Sequence, residues 1–280
     1  MTGPALPDQA MKASPMIRLL PPACLALLLA FHSLAHADEA IATDRPDFVE
    51  SSDVVAAGRV QLEVALNLER DRSGGLKSRV RSTPALLRFG LGHNLEARIE
   101  TDGLASARVT DMATGITSRA SGATDISLGL KWHMGDGDEK TGTPSTAWLL
   151  HVDLDSGAAA FRGEGKRPSL RFVAEWELPG ETSIGVMPGL ARDTDLNGKP
   201  FTAGILAVTA STELAAHWRG FIELAGQRLA SKTRGGNVVT FDTGVTYQIN
   251  NDMQVDLSLQ RGLTRFTPDL SMGLGWSVRF

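Results

Sequence analysis

The stretch from Leu270 to Phe280, LSMGLGWSVRF, constrains the fold more than any other part of the chain. Every second position in it is apolar, and the positions between are small or polar. A strand places alternate side chains on opposite faces, so this pattern predicts a strand with one apolar and one polar face. As the edge strand of a soluble sandwich, which is the alternative, it would be an aggregation site in water. The pattern therefore favours a strand of a closed barrel whose apolar face lies in lipid.

The same alternation recurs along most of the chain. From Val60 to Leu68, apolar residues occupy every second position, and Gln61 and Glu63 lie between them. Comparable segments begin near Ala85, Leu95, Ile126, Trp148, Leu170, Ile222, Val239 and Val255, with weaker ones over Thr182 to Leu190 and Phe201 to Ser211. Helical periodicity is not sustained, and no run of roughly 18 apolar residues predicts a transmembrane helix. We therefore predict an all-β fold, a transmembrane antiparallel β-barrel of about 12 strands.

Connection lengths and aromatic residues indicate how the barrel lies in the membrane. Short connections alternate with longer ones rich in Gly, Asp and Arg, of which Gly103 to Gly122 is one predicted loop; the link from His133 to Ser145 is an exception. Seven aromatic residues are predicted at the short-turn end: Phe89, Trp132, Trp148, Trp176, Trp218, Tyr247 and Phe280. Aromatic residues concentrate at membrane interfaces, and short turns of such barrels face the periplasm. We expect periplasmic termini.

The first 37 residues resemble a secretory signal peptide. Lys12 and Arg18 precede the apolar run ACLALLLAF, and Ala35 to Ala37 matches an A-x-A cleavage site. Translation could begin at Met1, Met11 or Met16. Cleavage would remove Cys24, the only cysteine, which excludes disulfides from the mature chain. We predict that residues 1–37 are the signal peptide, 38–58 a periplasmic N-terminal segment and 59–280 the barrel.

The polar faces of the predicted strands carry charges of both signs. In a barrel these side chains line the lumen, where they must pair or stand in water because an unpaired buried charge is costly. The pore-lining candidates are Glu63, Arg98, Glu100, Asp125, Lys131, His151, Asp153, Arg171, Glu175, Glu223 and Asp242, with Arg279 beside them. Twelve strands should enclose a narrow passage. The alternative is an internal salt-bridge network with no role in transport.

Three charged residues around Pro46 precede the first predicted strand: Asp44, Arg45 and Asp47. One interpretation places them inside the periplasmic mouth of the barrel, where they would pair with lumen groups as a plug or gate. The other interpretation is a flexible leader.

Enzymes, metal sites and nucleic-acid binding find little support in the sequence. No G-x-S-x-G nucleophile motif is present, so we expect no enzyme; an outer-membrane hydrolase using His151 is the weakest alternative. Asp136 to Glu139 and Asp193 to Gly198 resemble calcium loops only loosely and are predicted turns, so we expect neither metal nor cofactor. A net charge of −4 is too mild to suggest a nucleic-acid partner, for which a clustered basic patch would be expected, so we expect none.

Several motifs resemble one known family. They are TDRPDF from Thr43, ESS from Glu50, GRVQLE from Gly58, TPALLRFGL from Thr83, NLEAR from Asn94 and DISLGLK from Asp125. The family is that of outer-membrane transporters named for the meta-pathway of phenol degradation. The resemblance implies a bacterial outer-membrane protein for passive passage of small compounds, aromatic or hydrophobic ones among them. Its rival is a structural or adhesive barrel with a closed lumen.

The terminal strand also resembles that of bacterial outer-membrane barrels, whose last residue is typically Phe. This resemblance implies that the assembly machinery recognises Phe280. The other partners expected are membrane lipid, lipopolysaccharide and a small-molecule solute.

Overall fold

The computed structural model describes residues 40–195 and 197–280. The predicted signal peptide and Cys24 lie outside the described residues. No helix among the described residues is both long enough and apolar enough to span a membrane.

The described chain is almost entirely β-structure. Its strand segments are β1 (Val60–Asp71), β2 (Leu76–Ser82), β3 (Ala85–Gly92), β4 (Leu95–Thr101), β5 (Leu104–Asp111), β6 (Thr117–Ala123), β7 (Ile126–Gly135), β8 (Ser145–Asp153), β9 (Arg167–Leu178), β10 (Thr182–Thr194), β11 (Pro200–Ala215), β12 (Trp218–Leu229), β13 (Val238–Asn250), β14 (Met253–Gly262) and β15 (Leu270–Arg279). A 3-10 turn, Lys232–Arg234, lies between β12 and β13.

The segments form one closed antiparallel barrel. Each segment pairs with its neighbours, and β15 closes the ring by pairing with β1 from Gln61↔Arg279 to Arg70↔Leu270. The pairs β2 and β3, β4 and β5, and β6 and β7 are consecutive halves of three long strands, because each half pairs with the corresponding half of its neighbour. The 15 segments therefore make 12 strands, and the predicted 12-stranded antiparallel barrel is confirmed.

The three breaks lie side by side. Pro84 cannot donate to a strand ladder, and Gly103 adopts a φ of 73°, a left-handed backbone conformation that favours glycine. Thr83 N–H donates to the Asp102 carbonyl at 3.1 Å, and Thr124 N–H donates to the Gly103 carbonyl at 2.8 Å. These hydrogen bonds carry the sheet across the breaks into β2, β5 and β6, which we call the extension.

The extension corrects one expectation. The predicted loop over Gly103 to Gly122 consists largely of β5 and β6, joined by a tight turn in which the Asp111 carboxylate accepts hydrogen bonds from the N–H groups of Ala113 and Thr114. Its small and polar residues lack the strong apolar alternation of the other strands, but pairing with β2 fixes them as strands. Among the described strands, β6 pairs with β5 alone.

The outer surface of the barrel is apolar. Exposed side chains on alternate positions of neighbouring strands include Leu66, Leu128, Leu150, Leu224, Leu257 and Leu274. Charged residues such as Glu63 and Arg88, on the alternate positions, are fully buried in the interior. This is the inverse of a soluble protein and is the arrangement of a barrel in lipid.

The interior is not uniformly polar, which differs from the expectation of an all-polar lumen. Along β8 to β12 the inward side chains form an apolar wall: Ala147, Leu149, Val173, Met187, Ala207 and Ala225. Leu149 stands in the continuous apolar run of Trp148 to Leu150, where alternation does not distinguish the two faces. The lumen therefore has an ionic half on β1, β3, β4 and β7 and an apolar half on β8 to β12.

The two ends of the barrel differ. At the short-turn end, tight turns join the strands through left-handed residues such as Asn94, Glu181 and His217. The seven aromatic residues named above lie at this end of their strands; the Trp148 and Phe172 rings are 4.9 Å apart, and the Trp218 and Tyr247 rings 4.8 Å. We call the opposite end the long-loop end.

Candidate functional site

The residues before the first strand lie inside the barrel. Residues 40–58, which we call the N-terminal segment, begin at the short-turn rim, where Ile41 N–H donates to the Asn251 carbonyl at 2.7 Å. They return to the same rim, where Gly58 N–H donates to the Gly90 carbonyl at 2.9 Å. Between these two points the segment forms contacts with groups on most of the barrel wall.

Asp44 is the centre of the ionic contacts. Its carboxylate lies 2.7 Å from Arg98 Nη2, 2.8 Å from Lys131 Nζ and 3.5 Å from Arg88 Nη1. It also accepts a hydrogen bond from Ser51 N–H at 2.9 Å. Burial alone would raise the pKa of Asp44, but the three cations outweigh it and hold the pKa below its usual value. One carboxylate of the segment thus neutralises charges on three strands.

Arg88 connects the segment to the wall beneath Asp44. Its guanidinium is fully buried, 2.8 Å from Glu96 and 3.1 Å from Glu63, and it donates to the carbonyl oxygens of Ala42 at 2.9 Å and Asp53 at 3.0 Å. Its Nη2 also donates to Glu96 at 2.9 Å, so all five N–H donors of the guanidinium have partners. Arg88 and Glu96 were not among the candidates. The alternation of Arg88 with Leu87 and Phe89 marked it as inward.

Glu50 and Ser52 connect the ionic half to two charged residues of β9, Arg171 and Glu175. Glu50 pairs with Arg98 and lies 2.5 Å from Arg171 Nη1. Burial would raise the pKa of Glu50, but the two arginines lower it well below its usual value. The Ser52 N–H and hydroxyl both donate to Glu175 at 2.5 Å. The segment thereby reaches β9, across the lumen from β1.

Phe48 and Val49 attach the segment to the apolar half. Val49 packs in the apolar wall described above, with Phe48 against it. The Glu223 carboxylate accepts hydrogen bonds from the N–H groups of both residues, each at 2.8 Å. The Arg171 guanidinium lies over the Phe48 ring, 5.6 Å from its centre. Apolar packing and a carboxylate clamp together hold this part of the segment.

Arg45 extends to β14, which lies next to β15, the strand that closes the ring by pairing with β1. Its Nη2 lies 3.2 Å from Asp256 on β14. A Cβ on Gly275 would lie 2.2 Å from Asp256 Oδ2 and 2.7 Å from Arg45 Nε, so a larger residue at this position would displace the ion pair. The polar face of the terminal strand thus includes a pocket for Arg45.

Asp47 differs from the other acids of the segment because no cation pairs with it among the described residues. Burial raises the pKa of Asp47 to about 7; hydrogen bonds to a backbone N–H and to Thr209 oppose this rise, and the nearby charges of Glu175 and Asp44 add to it. Asp47 lies in the N-terminal segment, outside the strands of the barrel.

Cavities lie on both sides of the N-terminal segment. One of about 940 Å³ opens toward the short-turn end, and one of about 540 Å³ lies toward the long-loop end. A smaller cavity of about 180 Å³ shares Glu100, Asp102 and Arg171 with the second. Arg45 and Asp47 line both the first cavity and the small one. The N-terminal segment is therefore the partition between the two ends of the lumen.

The pore-lining candidates divide into three groups. Glu63, Arg98 and Lys131 all bind Asp44 of the N-terminal segment. Glu100, Asp125, Asp153 and Arg171 line the long-loop cavity, where Asp125 pairs with Arg167 at 2.8 Å. The others are Glu175 at the short-turn cavity, Glu223 and its cross-strand partner Asp242, the buried His151, and Arg279, which pairs with Asp252 at the rim.

These placements leave the transport role of the candidates a prediction. Gating by Asp44, Arg45 and Asp47 also stays a prediction.

Of the two calcium-like sequences, the first lies in the connection between β7 and β8, where Asp138 forms an isolated β-bridge with Thr143, and the second begins in β10 with Asp193 and Thr194. The Asp195 carboxylate accepts hydrogen bonds from the N–H groups of Asn197 and Lys199, which lower the pKa of Asp195. Across residues 40–195 and 197–280, no group of three or more His, Cys, Asp or Glu side chains is arranged to hold a metal ion.

Comparisons with known proteins agree with this architecture. The sequence model of the family described as MetA-pathway of phenol degradation matches residues 43–280. The chain is similar to the crystal structure of an outer-membrane channel from Pseudomonas putida F1, with 12% identity and a TM-score of 0.55 over 82% of this chain and 98% of that chain. It is also similar to the β domain of the Bordetella autotransporter BrkA, with 14% identity and a TM-score of 0.50 over 80% of this chain and 100% of that chain.

No curated protein matches the chain. At these identities the structural likeness shows the fold, that of bacterial outer-membrane barrels. Of the two structures named above, one is a channel and the other an autotransporter β domain; neither is described as an enzyme.

Proposed function

Because the chain belongs to the family described as MetA-pathway of phenol degradation, we propose that it is an outer-membrane channel for passive passage of small compounds, aromatic or hydrophobic ones among them. In this proposal the short-turn end and both termini face the periplasm, as short turns do in such barrels. The N-terminal segment is the gate, and the structure is its closed state.

The partition of the lumen by the N-terminal segment carries the proposal. Arg45 and Asp47 line cavities on both sides, so displacement of this one segment joins the two ends of the lumen. No strand of the barrel has to move. The segment is fixed by side-chain contacts and two rim hydrogen bonds rather than by a strand ladder.

The chemistry of the lumen supports a solute with an aromatic ring and a polar substituent. The apolar wall of β8 to β12 faces the ionic half across the lumen. When the segment is displaced, this wall loses Phe48 and Val49 and exposes an apolar surface that a ring can contact. Arg171, freed from the Phe48 ring and from Glu50, is then available to the polar substituent.

A structural barrel with a closed lumen is the second candidate, and the buried network around Arg88 favours it. The side chains of Arg88, Glu63 and Glu96 are fully inaccessible, as in a barrel core that never opens. An outer-membrane hydrolase has less support, because His151 is buried in the lumen and does not face the lipid surface.

Planar-bilayer recordings separate these candidates. We expect discrete conductance steps from the full barrel, reduced by phenol, and larger and longer openings after deletion of residues 38–58. If the variant lacking residues 38–58 also shows no conductance, passage of solutes through the barrel is refuted. A silent full barrel whose deletion variant conducts would favour the structural candidate.

A further inference from the structure

Four arginines lie in one row across the extension. Arg70 on β1 is directly opposite Arg79 on β2, Arg79 is opposite Arg108 on β5, and Arg108 is opposite Arg119 on β6. Directly opposed residues share a face of the sheet, so all four side chains point the same way. All four are exposed. We call this set the arginine row.

The arginine row faces away from the lumen. On β1, Arg70 follows Leu66 and Leu68 at alternate positions, and both leucines are exposed on the outer surface. Glu69, on the opposite face, lines the long-loop cavity. The row is therefore on the outside of the barrel wall.

Two further cations flank the row, and no anion balances it. Lys77 and Arg81 alternate with Arg79 on β2 and share its face. Among the described residues, none of these six cations forms an ion pair. The acids of the same strands, Glu69, Asp71 and Asp111, occupy the alternate, inward positions.

Such a row is unfavourable unless an external anion binds it. Like charges directly opposite on neighbouring strands destabilise a sheet. Strands are about 4.8 Å apart, so the row presents four guanidinium groups over roughly 15 Å. Guanidinium groups bind phosphate through paired, charge-assisted hydrogen bonds. Several phosphate groups at the same height along the barrel wall would therefore neutralise the four arginines of the row.

The row lies directly beside the apolar belt. Arg81 is opposite Leu68, and Arg70 is opposite Leu270 on β15, whose next outward residues are Met272 and Leu274. An occupant that fits both surfaces has acyl chains against the belt and phosphates at the level of the arginines. A soluble phosphate would use only the second surface.

We propose that the outward face of the extension binds the phosphorylated head groups of lipid A, the lipid anchor of lipopolysaccharide in the outer leaflet. Lipopolysaccharide is one of the partners expected from the sequence, and the arginine row would be its site. This inference rests on the orientation in the proposed function, with the long-loop end outside the cell. The acyl chains of the bound lipid lie along Leu66, Leu68 and the outward residues of β15.

The test compares two triple variants in phosphatidylcholine vesicles with and without lipid A. The first carries Arg79→Gln, Arg108→Gln and Arg119→Gln, and the matched control carries Arg162→Gln, Arg192→Gln and Arg265→Gln in long-loop-end segments outside the row. Each basic residue near an anionic surface contributes about fivefold in affinity, so the first variant should bind lipid A about a hundredfold more weakly. The control should bind it as the unaltered protein does.

Stability and lipid chemistry provide further readouts. Without lipid A, the first variant should be at least as stable as the unaltered protein, because like-charge repulsion is relieved. Lipid A should raise the unfolding temperature of the unaltered protein and of the control, and dephosphorylated lipid A should not. If the triple variant does not fold, Arg108→Gln alone, in the middle of the row, should reduce lipid A affinity about fivefold.

Three results would overturn the proposal. They are unchanged lipid A binding by the row variants, equal binding of dephosphorylated lipid A, and binding of inorganic pyrophosphate as tight as that of lipid A. Conductance recorded on the same preparations keeps this test apart from the proposed function. A barrel that binds lipid A but never conducts contradicts the channel alone, and a conducting barrel that ignores lipid A contradicts the arginine row alone.

Discussion

Replacing Asp44 with Asn should release the N-terminal segment. The substitution keeps the size of the side chain but removes the charge that lies within 3.5 Å of Arg88, Arg98 and Lys131. Arg98 keeps Glu50, and Arg88 keeps Glu63 and Glu96, but Lys131 then faces only the carbonyl oxygens of Ser51 and Asp53. Lys131 becomes a buried cation without an anion.

The magnitude follows from the loss of a buried ion pair. Breaking such a pair costs about 3–5 kcal/mol, and each 1.36 kcal/mol is a factor of about ten in the equilibrium. The released form should therefore be favoured by about a thousandfold relative to the unaltered protein. The cost falls on docking of the segment, because the backbone ladder of the barrel is unchanged.

Bilayer recordings and gel mobility would measure the effect. We expect open events to become frequent in Asp44→Asn and to resemble those of the barrel lacking residues 38–58, while the heat-dependent gel mobility of the barrel is unchanged. Asp53→Asn is the matched control, because Asp53 belongs to the same segment and its side chain is exposed. The reasoning is refuted if Asp44→Asn conducts like the unaltered protein while the deletion variant opens.

Two other changes probe the same segment. Glu223→Gln leaves one carbonyl oxygen for the two N–H groups of Phe48 and Val49, so docking of the N-terminal segment should weaken by about 1–3 kcal/mol. A protease should then cleave residues 40–58 faster than in the unaltered protein. Equal cleavage rates in Glu223→Gln and the exposed control Glu213→Gln would contradict this. Because burial raises the pKa of Asp47 from 3.8 to about 7, the docked segment binds a proton that the released segment does not, and docking free energy is lost as the pH rises toward about 7. Openings should be rarer at pH 5 than at pH 8, and Asp47→Asn should reduce this difference; a pH response identical in Asp47→Asn would exclude Asp47 as its source.

The alternating segments predicted the barrel because burial in lipid imposes a strict period of two. Val60 to Leu68 and the terminal strand pair in the register that their patterns require. The extension was missed because its outward face carries arginines rather than apolar side chains, so Arg79 and Arg108 interrupt the apolar alternation. Leu149 was not placed because its inward environment is made by the N-terminal segment, a tertiary contact that periodicity cannot show.

The sequence could predict which charged residues form the site but not which residues they pair with. Charges beside a proline, ahead of a barrel with a charged interior, predicted that Asp44, Arg45 and Asp47 could pair with lumen groups. Their partners could not be assigned, since Asp44 pairs across 54 positions with Arg98 and 87 with Lys131, and Arg45 across 211 with Asp256. These residues are brought together only when the strands close into a barrel, and the sequence alone does not show which of them will meet.

The path of the N-terminal segment determines the direction from which it can be moved. Ile41 and Gly58 are both hydrogen-bonded to the short-turn rim, so the residues between them form a loop that dips into the barrel and comes back out of the same mouth. Withdrawing such a loop requires no threading of chain past the far end. A mechanical pull on the residues before Ile41 would draw it out, whereas a push from that side would only seat it deeper.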